Sequence, residues 1–126
     1  MSKLEKYLAK AKETAARPEI TVTIDGDVWR VRRLTLSENR MCERLAEKGD
    51  KFDYYRYNDA RIVKSTEHDF PWNDPALLKA YGAADKYELP AKLFEHNPDG
   101  YVKLLDAVRR VNLGNTESEA IEEAKN

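Results

Sequence analysis

Apolar residues recur every second position in one early stretch of the chain and at helical spacing almost everywhere else. Between residues 19 and 33, Ile20, Val22 and Ile24 alternate with Thr21 and Thr23. Asp25-Gly26 follows and suits a type I′ turn, whose two central positions need positive φ. A two-residue turn there sets 24 against 27, 22 against 29 and 20 against 31. That register gathers Ile20, Val22, Ile24, Trp29 and Val31 on one face and leaves Thr21, Thr23, Val28, Arg30 and Arg32 on the other. The segment is therefore predicted to be a β-hairpin. A lone hairpin is marginal in water, so its apolar face is expected to lie on helices.

Before the hairpin, Ser2 and Glu5 have the spacing of a capping box, and Leu4, Leu8, Ala11 and Ala15 share one narrow stripe. Pro18 disfavours helix at Arg17, so a helix is expected within residues 1–17. Its thin stripe suits a helix that docks loosely or swaps onto a partner. After the hairpin, Thr35 and Glu38 form a second capping box ahead of Met41, Cys42, Leu45 and Ala46, with Gly49 placed for a left-handed cap. A helix over 51–66 is predicted to turn Phe52, Tyr55, Ile62 and Val63 inward, although Asp59 interrupts that stripe.

Phe70-Pro71-Trp72-Asn73 reads as a break, and Asp74-Pro75 as a restart with an N-cap and a first-turn proline. Leu77, Leu78 and Tyr81 follow, and Gly82 stops that helix. Pro90 begins a short helix covering Leu93 and Phe94. Asn97-Pro98 repeats the restart signal before Tyr101, Leu104, Leu105, Val108 and Val111, the cleanest helical stripe in the chain, which Gly114 ends. Thr116 and Glu119 form a third capping box, before Ala120, Ile121 and Ala124. The expected architecture is one domain over 1–126. It is mainly α, with one N-terminal hairpin packed on the helices, and α+β by strict count. Its parts are a helix in 1–17, the hairpin at 19–33, a helical body over 35–113 and a short helix or tail over 116–126.

Composition narrows the function classes. Of 126 residues, 22 are Lys or Arg and 23 are Asp or Glu, a net charge of -1 that argues against general affinity for nucleic acid. No apolar run is long enough to span a bilayer, and MSKLEKYLAKAK lacks the continuous apolar core of a secretory signal, so a cytoplasmic protein is expected. A single cysteine excludes an intrachain disulfide and any multi-cysteine zinc site.

Candidate chemistry is sparse. His68 and His96 each sit among polar residues where a surface or capping role is the commoner one. Cys42 lies on a helix among core positions, which favours a buried, inert thiol. No glycine-rich phosphate loop, HxxxH or CxxC occurs, so no cofactor, metal or catalytic residue is assigned. Arg30, Arg32 and Arg33 form the one basic cluster. It reads as a solvated strand face, or alternatively as the ribbon of a small nucleic-acid-binding regulator.

Four aromatic residues, Phe52, Tyr54, Tyr55 and Tyr57, cannot all face inward from one helix, so some are exposed or cover a neighbour. Phe70 and Trp72 flank a loop proline and either plug the core or anchor a partner. Tyr54, Tyr57, Phe70, Trp72 and Ile121 are therefore the candidate partner-binding residues.

The chain as a whole resembles the XkdN-like tail assembly chaperones of long-tailed bacteriophages. The resemblance runs in order through KLEKYLAKA, TVTIDGDVWRVRRLTLSEN, an aspartate-rich aromatic stretch, LLKAYGAADKYEL, NPDGYVKLLDAVRRVN and the acidic EEAKN. EHDFPWND departs from it in being more aromatic, so no role for Phe70 or Trp72 comes from the family. The resemblance implies a non-enzymatic assembly factor that coats the tape measure protein and helps major tail tube subunits polymerise around it. It also implies action in the host cytoplasm, absence from the finished virion, and a longer form made by programmed frameshifting. Ala124-Lys125-Asn126 can be encoded with the slippery run A AAA AAC. Self-association is compatible with lining up along a rod, although no heptad seam marks it.

Overall fold

A computed structural model describes residues 2–13 and 16–113. Its elements run α1 (Lys3–Ala11), β1 (Glu19–Ile24), β2 (Asp27–Arg32), α2 (Leu36–Ala46), β3 (Glu47–Lys48), β4 (Lys51–Phe52), α3 (Tyr54–Thr66), α4 (Pro75–Tyr81), α5 (Leu89–Leu93) and α6 (Pro98–Leu113). The fold is mainly helical, with the predicted antiparallel hairpin at its N-terminal side.

The hairpin has the predicted register, with Ile24 opposite Asp27, Val22 opposite Trp29 and Ile20 opposite Val31. Asp25 and Gly26 take φ of 51° and 83°, as a type I′ turn demands. Ile24, Trp29 and Val31 are buried, while Thr21, Thr23, Val28 and Arg30 on the other face are exposed. The apolar face rests on α6 and α3. From those helices Ile62, Val63, Leu104, Leu105, Val108 and Val111 complete one core, joined by Trp72, Leu89 and Phe94. Burying each such side chain contributes roughly 1.5–3 kcal/mol, so the face-to-face packing of hairpin and helices dominates the stability of the fold. A smaller cluster of Leu34, Cys42 and Ala60 joins α2 to α3.

Two polar ties orient the hairpin. Asn97 caps α6 by accepting the Gly100 N–H, and its amide donates to Asp25 in the hairpin turn. On the outer side of β2, the Arg30 N–H donates to the Asp69 carboxylate at 3.0 Å. Restart signals behave as read. Thr35 and Glu38 make the reciprocal capping box of α2, and Asp74 caps α4, with Pro75 in its first turn and Gly82 ending it at φ 64°.

Three expectations need correction. First, α1 stops at Ala11 rather than near Arg17. None of its residues is buried, and without packing a short helix has little to hold its last turns. Second, Gly49 does take a left-handed φ of 64°, but not as a helix cap. It lies in the turn of a second small hairpin, β3–β4, because α2 has already ended at Ala46. Third, α3 begins at Tyr54 behind an Asp53 N-cap, which moves Phe52 onto β4 and rotates Tyr55 outward. Ile62 and Val63 do face inward, and so does Asp59. Gly114 and the predicted terminal piece, 116–126, lie outside the described residues.

Candidate functional site

Of the five candidate partner-binding residues, the four that are described, Tyr54, Tyr57, Phe70 and Trp72, do not form one site. Trp72 is 1% exposed and belongs to the core. Its indole N–H donates to Thr66 Oγ1 at 2.8 Å, and the Thr66 hydroxyl donates to the Ile62 carbonyl at 2.6 Å. The anchor expectation is corrected here. Pro71 and the turn after α3 fold the loop back so that Trp72 fills the space beside Trp29, at 5.8 Å between ring centroids. Phe70 is half-buried against the same Trp29 ring at 4.8 Å and against Trp72 at 4.6 Å.

Tyr54 is exposed. It stacks edge-on against Phe52 at 4.8 Å, and Tyr57 lies 5.4 Å from the same ring. Tyr57 is half-buried and donates its hydroxyl to Asn39, so it bonds α3 to α2. Ile121 lies outside the described residues. The larger exposed apolar feature is α1, where Leu4, Tyr7 and Leu8 are 70%, 62% and 58% exposed on one side of an unburied helix.

Two members of the basic cluster are engaged, while Arg32 Nε is buried without a partner among the described residues. Arg30 pairs with Glu19 at 3.0 Å, and Arg33 donates to the Val111 carbonyl at 2.9 Å, holding the hairpin exit to α6. His68 Nε2 lies 2.7 Å from the other Glu19 oxygen. The hydrogen bond from His68, then that from Arg30, holds the Glu19 carboxyl below its ordinary value. The trio ties β1 and β2 to the end of α3. His96 is exposed on the α5–α6 link. Cys42 is fully buried, and that burial pushes its thiol up to about 11, which removes the thiolate a nucleophile needs. Among the described residues, no group of three His, Cys, Asp or Glu side chains stands close enough to hold a metal ion.

A concave part of the surface lies between α3, α5 and α6. Two adjoining cavities of about 370 and 420 Å³ share Tyr55, Asp59, Ala91 and Glu95. Asp59 is 8% exposed and accepts the Tyr101 hydroxyl at 2.5 Å. Burial raises the Asp59 carboxyl above its ordinary value against the lowering effect of that bond, and burial beside the carboxylate raises Tyr101 as well. The sequence carried one signal of this site, an acidic residue interrupting the apolar stripe of α3. Its partner Tyr101, on the other hand, looked like an ordinary core position of α6.

No protein-family model matches the chain, and no curated protein matches it. Among solved structures, one described as the crystal structure of the protein yqbn is similar, with a TM-score of 0.61 and 16% identity over 79% of this chain and 88% of that one. At that identity the likeness speaks to the fold alone. No described helix is long and apolar enough to cross a membrane.

Proposed function

We propose that this protein is a phage tail assembly chaperone, which binds the long helical tape measure protein and assists tube subunits to polymerise around it. The observation that carries the reading is α1, an amphipathic helix with no buried residue whose Leu4, Tyr7 and Leu8 stand exposed together. A helix that presents an apolar stripe to water is suited to lie along a second amphipathic helix. Contact through about one stripe of three side chains is weak for one copy. Many copies on one long chain gain strength by avidity, and each remains displaceable by the growing tube. The sequence resemblance supplies the tape measure as the helix in question, the host cytoplasm as the setting and the non-enzymatic role.

The test is co-expression with amphipathic fragments of the tape measure protein from the same genome. The expected outcome is that the chain keeps a fragment soluble and co-purifies with it. Leu4→Glu with Leu8→Glu should abolish this while the unfolding free energy stays within about 0.5 kcal/mol of the parent, since both positions are exposed. Fragments that precipitate equally with and without the chain would sink the reading.

A further inference from the structure

The cavity between α3, α5 and α6 has a composition that a structural cleft does not need. Its rim and walls are Tyr55, Phe94, Tyr101 and Val102, and its polar groups are the carboxylates of Asp59 and Glu95. No lysine or arginine lines this part of the concavity, whereas Lys48, Arg56 and Lys92 line the adjoining part that shares Asp59 and Glu95. Asp59 is more than nine-tenths buried. Its Oδ1 takes the Tyr101 hydroxyl, and its Oδ2 accepts no hydrogen bond among the described residues. The cation nearest in sequence, Arg56, makes its hydrogen bonds to the Leu45 carbonyl and to Asp85, and acts on Asp59 through its charge alone.

We infer that this cavity is a receptor for an arginine side chain of a partner polypeptide, with Asp59 and Glu95 taking the guanidinium and the aromatic rings flanking it. A guanidinium is planar and weakly hydrated, stacks on aromatic faces and donates in a fork to carboxylates, so it suits such a box better than an ammonium. Burial has already raised the Asp59 carboxyl, so a cation placed on it gains more than one beside a surface carboxylate. The volume of about 420 Å³ admits a side chain but not a folded element. Residues 114–126 of this chain are a poor occupant, because they hold Glu117, Glu119, Glu122 and Glu123 against one lysine and no arginine. The inference goes beyond the proposed function, since it concerns a receptor for an arginine of a different polypeptide, which that function does not require.

The experiment titrates the full chain with a blocked alanine-based helical peptide bearing one arginine flanked by leucines, read by NMR. Matched peptides carry citrulline or lysine at the same place. The arginine peptide is expected to shift the Tyr55, Phe94, Tyr101 and Val102 resonances saturably, and the neutral citrulline peptide to bind about tenfold more weakly. Asp59→Asn keeps the acceptor for Tyr101 and removes the charge. It should lose the same tenfold while unfolding no earlier than the parent. Val102→Arg, at a position 62% exposed, supplies its own cation and should abolish peptide binding without loss of fold. Equal binding of the citrulline peptide, full binding by Asp59→Asn or tighter binding of the lysine peptide would each overturn the inference. So would movement of the same resonances on dilution of the protein alone, which would assign the cavity to a second copy.

Discussion

Asn97 Nδ2 donates to Asp25 Oδ2 at 2.7 Å across 72 positions of sequence, while Asn97 Oδ1 accepts the Gly100 N–H at 3.1 Å. One side chain thus caps α6 and tethers the hairpin turn. Asn97→Ala is expected to cost about 1–2 kcal/mol, read as a lowered urea midpoint. Asn97→Asp keeps the cap but sets two carboxylates face to face, so its loss should shrink with added salt.

Gly100 lies where α6 crosses that turn. A methyl group there would stand 2.9 Å from Ile24 Cγ2 and 2.6 Å from the tethered Asn97 amide. Alanine gains about 1 kcal/mol of helix propensity over glycine, but overpacking costs typically 1–3 kcal/mol. Gly100→Ala is therefore expected to destabilise, by about 1 kcal/mol in denaturant titration. Equal or higher stability would mean that hairpin and helix separate readily.

Trp72 separates a core role from a docking role. Trp72→Ala should cost about 3–5 kcal/mol, much of the 5–15 kcal/mol that holds a typical domain. Trp72→Phe should cost less, while leaving Thr66 without its indole donor. Calorimetry decides: an unchanged melting temperature for Trp72→Ala would return this residue to the surface.

Two carboxyls bend the pH dependence in opposite directions. Glu19 is held below its ordinary value in the folded state by His68 and Arg30. Its contribution is present above the unfolded value of 4.5 and is lost as pH falls through the folded one. Asp59 is raised above 3.8, so the folded state holds its proton longer, and stability falls as pH climbs through the window above that value. Unfolding midpoints measured from about pH 3 to about pH 7 should show Glu19→Gln removing part of the acid-side loss. Asp59→Asn should flatten the decline above 3.8. Identical profiles for parent and both variants would refute the assignment.

The legible parts of the fold were those whose signal is local. The hairpin register follows from period-two alternation around Asp25-Gly26, and the α4 start from Asp74-Pro75, because each needs only neighbours in sequence. The β3–β4 hairpin was invisible, since Glu47-Lys48 and Lys51-Phe52 are too short to show a period. That miss shifted the start of α3 and with it the facing of Phe52 and Tyr55. The site is a matter of distant pairs. Asp59 showed as an anomaly in an apolar stripe, but its bond to Tyr101 spans 42 positions that no local pattern connects. Trp72 was ambiguous for the same reason, because what fills the space beside Trp29 is settled only by tertiary packing.

Asp69 bears on how copies of this chain behave when crowded. A β-strand with free outward donors is a template on which another strand can add, and repeated addition yields cross-β filaments. On β2 the outward donor of Arg30 is already taken by the Asp69 carboxylate, beside an exposed Val28 that would otherwise make this strand adhesive. An incoming strand must displace an acid before it can bond at Arg30. The loop after α3 thus interrupts the row of outward donors on β2 at its middle, from a position no inspection of the hairpin's own residues would identify.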